Sequence, residues 1–183
     1  MGAEVTVASQ RVYEGRLVNL RVDTVRLENG RLTEREIVEH PGAVAVVALD
    51  GDDNVLLVRQ FRKPAEKELL EIPAGTVEAG EEPIVCAGRE LEEETGYRAE
   101  CLEQLGSFYS SPGFCTEHIR LYLATGLQKG RAAPEGDEAI EIIKVSLSDI
   151  PALVSQGEIC DGKTIAGLLS VLLLGPDLST TGS

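Results

Sequence analysis

The stretch Gly75-Thr76-Val77-Glu78-Ala79-Gly80-Glu81, continued by Arg89-Glu90-Leu91-Glu92-Glu93-Glu94-Thr95-Gly96-Tyr97, decides the fold. Glycines at both ends of Gly75 to Gly80 permit unusual backbone angles and close approach. A helix is predicted from near Pro83, because proline is tolerated in the first helical turn, and Gly96 is a natural stop. Glu81 and Glu82 suit the positive end of its dipole. Ile84, Ala87, Gly88 and Leu91, continued by Thr95, recur at helical spacing and predict the core face. Ala87 and Gly88 are small enough to let the helix approach a sheet closely.

The helix also carries four carboxylates, Glu90 and Glu92 to Glu94. Residues three and four apart share a helix face, so Glu90, Glu93 and Glu94 point the same way, and like charges so placed destabilise it. A hard divalent cation, which takes oxygen ligands, resolves the conflict. A solvated acidic face is the plainer reading of any charge run.

The spacing favours the cation, because the segment resembles the Nudix box, G-x5-E-x7-R-E-U-x-E-E-x-G-U with U a bulky apolar residue. Gly75, Glu81, Arg89, Glu90, Leu91, Glu93, Glu94 and Gly96 match outright. Tyr97 puts an aromatic where an aliphatic residue is usual. The resemblance implies the Nudix fold, an α/β/α sandwich around a mixed β-sheet. It also implies Mg2+ (or Mn2+), two or three ions, held by Glu90, Glu93, Glu94 and the backbone carbonyl of Ala74. Gly75, Glu81, Arg89 and Gly96 take structural roles in this reading.

The chain has 183 residues, enough for one domain with a sizeable core. Its 17 basic and 31 acidic residues give a net charge of −14, which argues against nonspecific nucleic-acid binding. A polyphosphate substrate would be repelled too, unless bound cations reverse the local field. The four cysteines, Cys86, Cys101, Cys115 and Cys160, show no C-x-x-C pair or zinc spacing. Free buried thiols in a reducing, cytoplasmic setting are expected. The apolar run Ile165 to Leu174 is too short to span a bilayer, and no basic-plus-apolar leader is evident, so no membrane association is expected. Met1 to Thr6 matches the loose N-myristoylation pattern by chance, since no polybasic patch follows.

Alternation from Val5 to Glu39 predicts short half-exposed strands with a turn at Glu28-Asn29-Gly30. After the break His40-Pro41-Gly42, Ala43 to Leu49 and Val55 to Phe61 read as a hairpin. Leu69 to Ile72 is a third strand, stopped by Pro73-Ala74-Gly75. Further strands are expected at Cys101 to Phe108, Ile119 to Ala124 and Ala139 to Val145. Ser146 and Asp149 form a loose capping box opening a short helix through Val154, and Asp161 to Leu174 is a last helix. Strands mixed with helices without strict alternation imply an α+β or mixed-sheet α/β fold. The expected organisation is an N-terminal strand region over 1–39, a catalytic domain over 40–177 and a flexible tail over 178–183.

Pro112, fifteen residues after Tyr97, resembles the ADP-ribose pyrophosphatase branch of the family, as do Arg59 to Pro64 and Glu68 to Gly75. That branch implies hydrolysis of ADP-ribose to AMP and ribose 5-phosphate. Alternatives are an NDP-sugar, a dinucleotide, FAD or an oxidised nucleoside triphosphate, and a non-catalytic ADP-ribose sensor. The substrate-binding set implied is Arg35, Arg62, Glu71, Pro112, Gly113 and Glu117. Glu94 and an acid of the loop Pro134 to Glu141 are implied as catalytic. Glu138 fits best as general base, but the family's acidic position falls on Gly136, which leaves Glu135 open too. Members of this branch often form homodimers through their N-terminal strands, and the same is expected here.

Overall fold

The computed structural model of the chain describes residues 4–130 and 140–174. In chain order the strands are β1 (Val5–Glu14), β2 (Asn19–Arg26), β3 (Leu32–Glu39), β4 (Ala43–Leu49), β5 (Asn54–Arg62), β6 (Lys67–Glu71), β7 (Ala74–Thr76), β8 (Tyr97–Arg98), β9 (Cys101–Tyr109), β10 (His118–Thr125), β11 (Gln128–Lys129) and β12 (Glu141–Ser146). The helices are α1 (Pro83–Thr95), α2 (Ile150–Ser155) and α3 (Gly162–Leu174). The backbone groups into two units. The first takes in the chain through Gly42 together with Phe108–His118; the second takes in Ala43–Ser107 and the chain from Ile119 on.

The second unit is built on a sheet of order β12-β5-β4-β10-β9, with β6 beside β5 and β7 beside β4. β4 and β10 run parallel, whereas β12, β5, β6 and β7 pair antiparallel. β4 is buried at every position. A central strand covered on both faces reads as an unbroken apolar run, as Ala43 to Leu49 does. Its side chains alternate between faces. Val44, Val46 and Ala48 meet Cys86, Ala87 and Leu91 of α1, with Tyr122 and Ala124 of β10. On the other face α3 approaches so closely that a Cβ on Gly167 would lie 2.9 Å from Val47 Cγ2 and 3.0 Å from Ile72 Cδ1. Helices on both faces of a mixed sheet make this an α/β/α sandwich. Full burial of a side chain such as Leu91 contributes about 2 kcal/mol relative to exposure.

Several elements differ from the sequence reading. The buried face of α1 is Cys86, Ala87, Leu91 and Thr95, and Ile84 is 47% exposed. The core face is therefore rotated toward the Cys86–Glu90 edge, which carries the Glu90 side chain to the margin of the core. β6 ends at Glu71 as expected, but Ala74 and Gly75 open β7, and Pro73 is part of the link between the two. That link transfers the chain from β5 to β4: Glu71 pairs with Val58, Val46 N–H donates to the Pro73 carbonyl (2.8 Å), and Ala74 pairs with Ala45. Ser146 caps a 3-10 turn over Leu147–Asp149 by accepting from Ser148 N–H, and α2 follows. All four cysteines are free, but only Cys86 is buried; Cys101 and Cys160 are exposed. The tail from Leu178 to Ser183 lies outside the described residues.

In the first unit β1, β2 and β3 form an antiparallel meander whose tight turn carries Gly30 at φ +81°. β1 is exposed throughout and pairs with β2 through two register shifts. The segment Phe108–His118 joins this sheet through Val38, whose N–H donates to the Phe114 carbonyl (2.8 Å) and whose carbonyl accepts from Thr116 N–H (2.9 Å).

Candidate functional site

The strand-loop-helix segment of the second unit draws three of its carboxylates round one cation. Arg89 grips Glu81 with two bonds, Nε to Oε1 at 3.0 Å and Nη2 to Oε2 at 3.1 Å. Its Nη1 lies 2.8 Å from Glu90 Oε1 and donates to Glu93 Oε2 at 2.9 Å. Glu81 also accepts from Glu78 N–H at 3.1 Å, so one carboxylate ties the loop to the helix. That hydrogen bond from Arg89 is the main reason the Glu81 carboxyl is held down at about 2. Beside it, burial pushes the Cys86 thiol up to about 12, with the Glu81 contact adding to the effect. Such a thiol stays protonated and unreactive near neutral pH.

Glu90 shows the opposite effect. Burial raises its carboxyl above the ordinary value, and the neighbouring Glu93 and Glu81 add to this against the pull of Arg89. Its carboxylate lies against the backbone of Gly75, where an added Cβ would collide with it. Glu94 turns to the other end of the short strand: its Oε2 accepts from Ala74 N–H at 3.0 Å. Gly96, at φ +70°, stops the helix with its N–H on the Glu92 carbonyl.

Among the described residues no three His, Cys, Asp or Glu side chains already form a cation cage. The donor chemistry nonetheless fits a hard divalent cation. All candidate donors are oxygens, one guanidinium serves Glu81, Glu90 and Glu93, and burial disfavours the charge on Glu90. Glu90, Glu93 and Glu94 could hold such an ion, together with the carbonyl of Ala74, the residue whose N–H bonds Glu94. An incoming ion has to compete with Arg89 for Glu90 and Glu93.

Arg62 and Glu71, also in this unit, hold each other. Arg62 Nε donates to Glu71 Oε1 at 2.9 Å and Nη2 to Oε2 at 2.8 Å. Lys163 also donates to Glu71 Oε2. Burial pushes the Glu71 carboxyl up, but Arg62 and Lys163 outweigh it and leave the group below its ordinary value. Sequence reasoning missed Lys163 and Thr164, whose partners Glu71 and Ile72 each lie ninety-two residues away, and Asp161, whose carboxylate accepts from both of them. It missed Gln60 as well, a buried amide on β5 whose Oε1 has no hydrogen-bond partner among the described residues.

The other candidates fall in the first unit. Arg35 grips Glu4, Nη2 to Oε1 at 2.5 Å and Nε to Oε2 at 3.0 Å. Pro112 and Gly113 sit in a turn closed by Phe114 and Cys115 N–H groups on the Ser111 carbonyl. Glu117 lies 3.7 Å from His40 Nδ1, which itself accepts from Gly42 N–H at 3.1 Å. Glu135 and Glu138 lie outside the described residues.

The geometry of the box meets its counterpart in the family comparison, where residues 39–166 match the NUDIX domain model. The chain belongs to the Nudix family. Residues 4–38 of this Nudix protein match a second model, the nucleoside diphosphate sugar hydrolase N-terminal domain. It is 47% identical over 164 residues to a methanol dehydrogenase activator of Bacillus methanolicus, covering 88% of this chain and 89% of that one. An ADP-ribose pyrophosphatase of Bacillus subtilis is 46% identical over 164 residues, with 88% of each chain covered. An ADP-ribose pyrophosphatase of Mycobacterium tuberculosis is 40% identical over 169 residues, covering 91% of this chain and 82% of the other. Among solved structures, an ADP compounds hydrolase superposes with a TM-score of 0.83 at 21% identity, covering 93% and 92% of the two chains, and shares the Nudix fold.

Proposed function

We propose that this Nudix protein hydrolyses the diphosphate of ADP-ribose to AMP and ribose 5-phosphate in the presence of Mg2+, with Mn2+ as a substitute. The observation that carries the reading is the arrangement of Glu81, Arg89, Glu90 and Glu93 beside Glu94 on Ala74, in a chain 46% and 40% identical to two proteins named ADP-ribose pyrophosphatase.

Glu90, Glu93, Glu94 and the Ala74 carbonyl hold two or three ions in this reading. The ions, when bound, offset the charge of the diphosphate and polarise it toward attack. Glu81 and Arg89 keep loop and helix in register so that the carboxylates stay in place. Water attacks phosphorus, the bridging P–O bond breaks, and the displaced phosphate oxygen leaves with one product. Glu138, or Glu135 in its place, takes the proton of the attacking water. Arg62 grips the substrate phosphates, because a planar guanidinium fork fits phosphate oxygens in pairs. Glu71 assists on the substrate side, and Arg35, Pro112, Gly113 and Glu117 contribute to binding.

We assign the protein to the cytoplasm, a setting consistent with four free thiols, two of them exposed. Among the described residues no helix is long and apolar enough to cross a membrane. We assign it as a homodimer paired through the N-terminal strands; the exposure of Val5, Val7, Val12 and Tyr13 on β1 supports this. We divide the chain into the strand region 1–39, the catalytic domain 40–177 and the tail 178–183.

A second reading, another nucleoside diphosphate sugar as substrate, is favoured by the description of the model matching residues 4–38. A panel of ADP-ribose, other NDP-sugars, dinucleotides and FAD, assayed with and without Mg2+, separates the two. AMP release from ADP-ribose at the highest kcat/KM of the panel is the expected result. No AMP release, with or without the ion, would overturn the proposal, and binding without turnover would indicate a sensor.

A further inference from the structure

Glu71 carries two cations where one would balance it. Its side chain is 2% exposed, that of Lys163 is 14% exposed and that of Arg62 is 37% exposed. Arg62 therefore reaches the carboxylate from the solvent side, and Lys163 reaches it from within. Lys163 is itself anchored. Its Nζ donates to Asp161 Oδ2 at 3.0 Å, and that same oxygen accepts from Thr164 N–H at 3.0 Å and from the Thr164 hydroxyl at 2.6 Å. The Thr164 hydroxyl in turn accepts from Ile72 N–H at 3.0 Å, next to Glu71 in the chain. Lys163 is thus held at the N-terminal turn of α3, while Arg62 sits at the end of β5 on a long, half-exposed side chain.

A buried carboxylate stripped of its only counter-ion is strongly disfavoured. If Arg62 were the sole partner of Glu71, it would be tied to that carboxylate. A second, anchored cation removes the obstacle. A guanidinium fork makes the same two N–H···O bonds to a phosphate as to a carboxylate, so the exchange keeps its bond count, whereas an ammonium serves equally well as a stationary point charge.

We propose that Lys163 is a positioning residue for substrate binding: it is the standing counter-ion of Glu71, and it releases Arg62 to trade that carboxylate for a substrate diphosphate. The proposal rests on the reading of Arg62 as a phosphate-gripping residue. It names a role for the Asp161-Gly162-Lys163-Thr164 turn that the carboxylates of the box do not supply.

The test is steady-state hydrolysis of ADP-ribose by the full-length protein as wild type, Lys163→Met, Lys163→Arg, Arg62→Met and the Arg62→Met/Lys163→Met double variant. Lys163→Met is expected to raise KM roughly tenfold with kcat within about twofold, because binding and not chemistry is affected. Lys163→Arg is expected to restore KM. In the Arg62→Met background the second substitution adds nothing to KM, since the two residues act as one unit. An unchanged KM in folded Lys163→Met, or effects of the two substitutions that simply multiply, would overturn the proposal. A wild-type KM in Arg62→Met would instead remove the phosphate reading of Arg62. Absent turnover in the wild type would remove the assigned activity. Should Lys163→Met not fold, Asp161→Asn, which loosens the ammonium and keeps an acceptor for Thr164, must raise KM in the same direction; an unchanged KM there overturns the proposal as well.

Discussion

The Glu94 carboxylate accepts a hydrogen bond from the backbone N–H of Ala74 at 3.0 Å, linking residues twenty apart in the chain. Strand and helix are thereby joined across the loop, and one side chain serves both as a fastening and as a candidate cation ligand. Glu94→Gln separates the two roles, because an amide oxygen still accepts from Ala74 but carries no charge. Turnover is expected to fall by on the order of a hundredfold or more, with the far-ultraviolet circular dichroism and melting profile retained. Near-normal turnover would detach Glu94 from the ion.

Gly75→Ala tests the closeness of loop and helix. An added Cβ falls on the Glu90 carboxylate, so either the loop or the glutamate must move. We expect a loss of about 1–3 kcal/mol in urea unfolding, together with weaker activation by Mg2+ in an ion titration. Unchanged activation would show that the position of Glu90 is not critical.

Glu81 makes acid stability a readout of the Arg89 network. Its folded carboxyl is depressed from 4.5 to about 2. A depressed carboxyl adds stability that is present above the ordinary value and is lost as pH falls through the folded one. The urea midpoint of the wild type should therefore decline between pH 4.5 and about 2. In Glu81→Gln that decline should be shallower, starting from a lower midpoint near neutral pH. Parallel profiles for the two proteins would contradict the assignment.

At the other face of the sheet, Gly167→Ala places a methyl 2.9 Å from Val47 Cγ2 and 3.0 Å from Ile72 Cδ1. Both neighbours are side-chain tips in a closely packed layer, so overpacking should outweigh the gain in helix propensity. The expected cost is about 1 kcal/mol, measured by chemical denaturation. Stabilisation would mean that the layer has room to spare.

Ion removal gives the last check. Dialysis against a chelator should abolish ADP-ribose turnover, and Mg2+ should restore it with little change in circular dichroism, since the sandwich core does not depend on the ion. Turnover that survives chelation would leave the carboxylate face as solvated surface.

How much of this was legible in the sequence depends on how far apart the responsible residues lie. Pro83 and Gly96 act on the backbone within a turn of themselves, so both ends of α1 could be read directly. The box spacing placed Glu90, Glu93 and Glu94 on one helix by the same local geometry. The rotation of the α1 core face, which leaves Ile84 exposed and draws Glu90 inward, depends on where the sheet meets the helix, and no local pattern encodes that. Pro73-Ala74-Gly75 marked the end of β6, but the pairing of Ala74 and Gly75 with β4 rests on contacts outside that segment.

By itself the sequence determined the family, the strand-loop-helix order and the acidic residues available to an ion, because these follow from residue type and short spacing. Only the tertiary structure decided that Glu71 would meet Arg62 and, ninety-two residues away, Lys163. Such pairs form where strand pairing and helix docking bring distant segments together and exclude water from the charges between them. That desolvation is a property of the assembled layers and of no single segment.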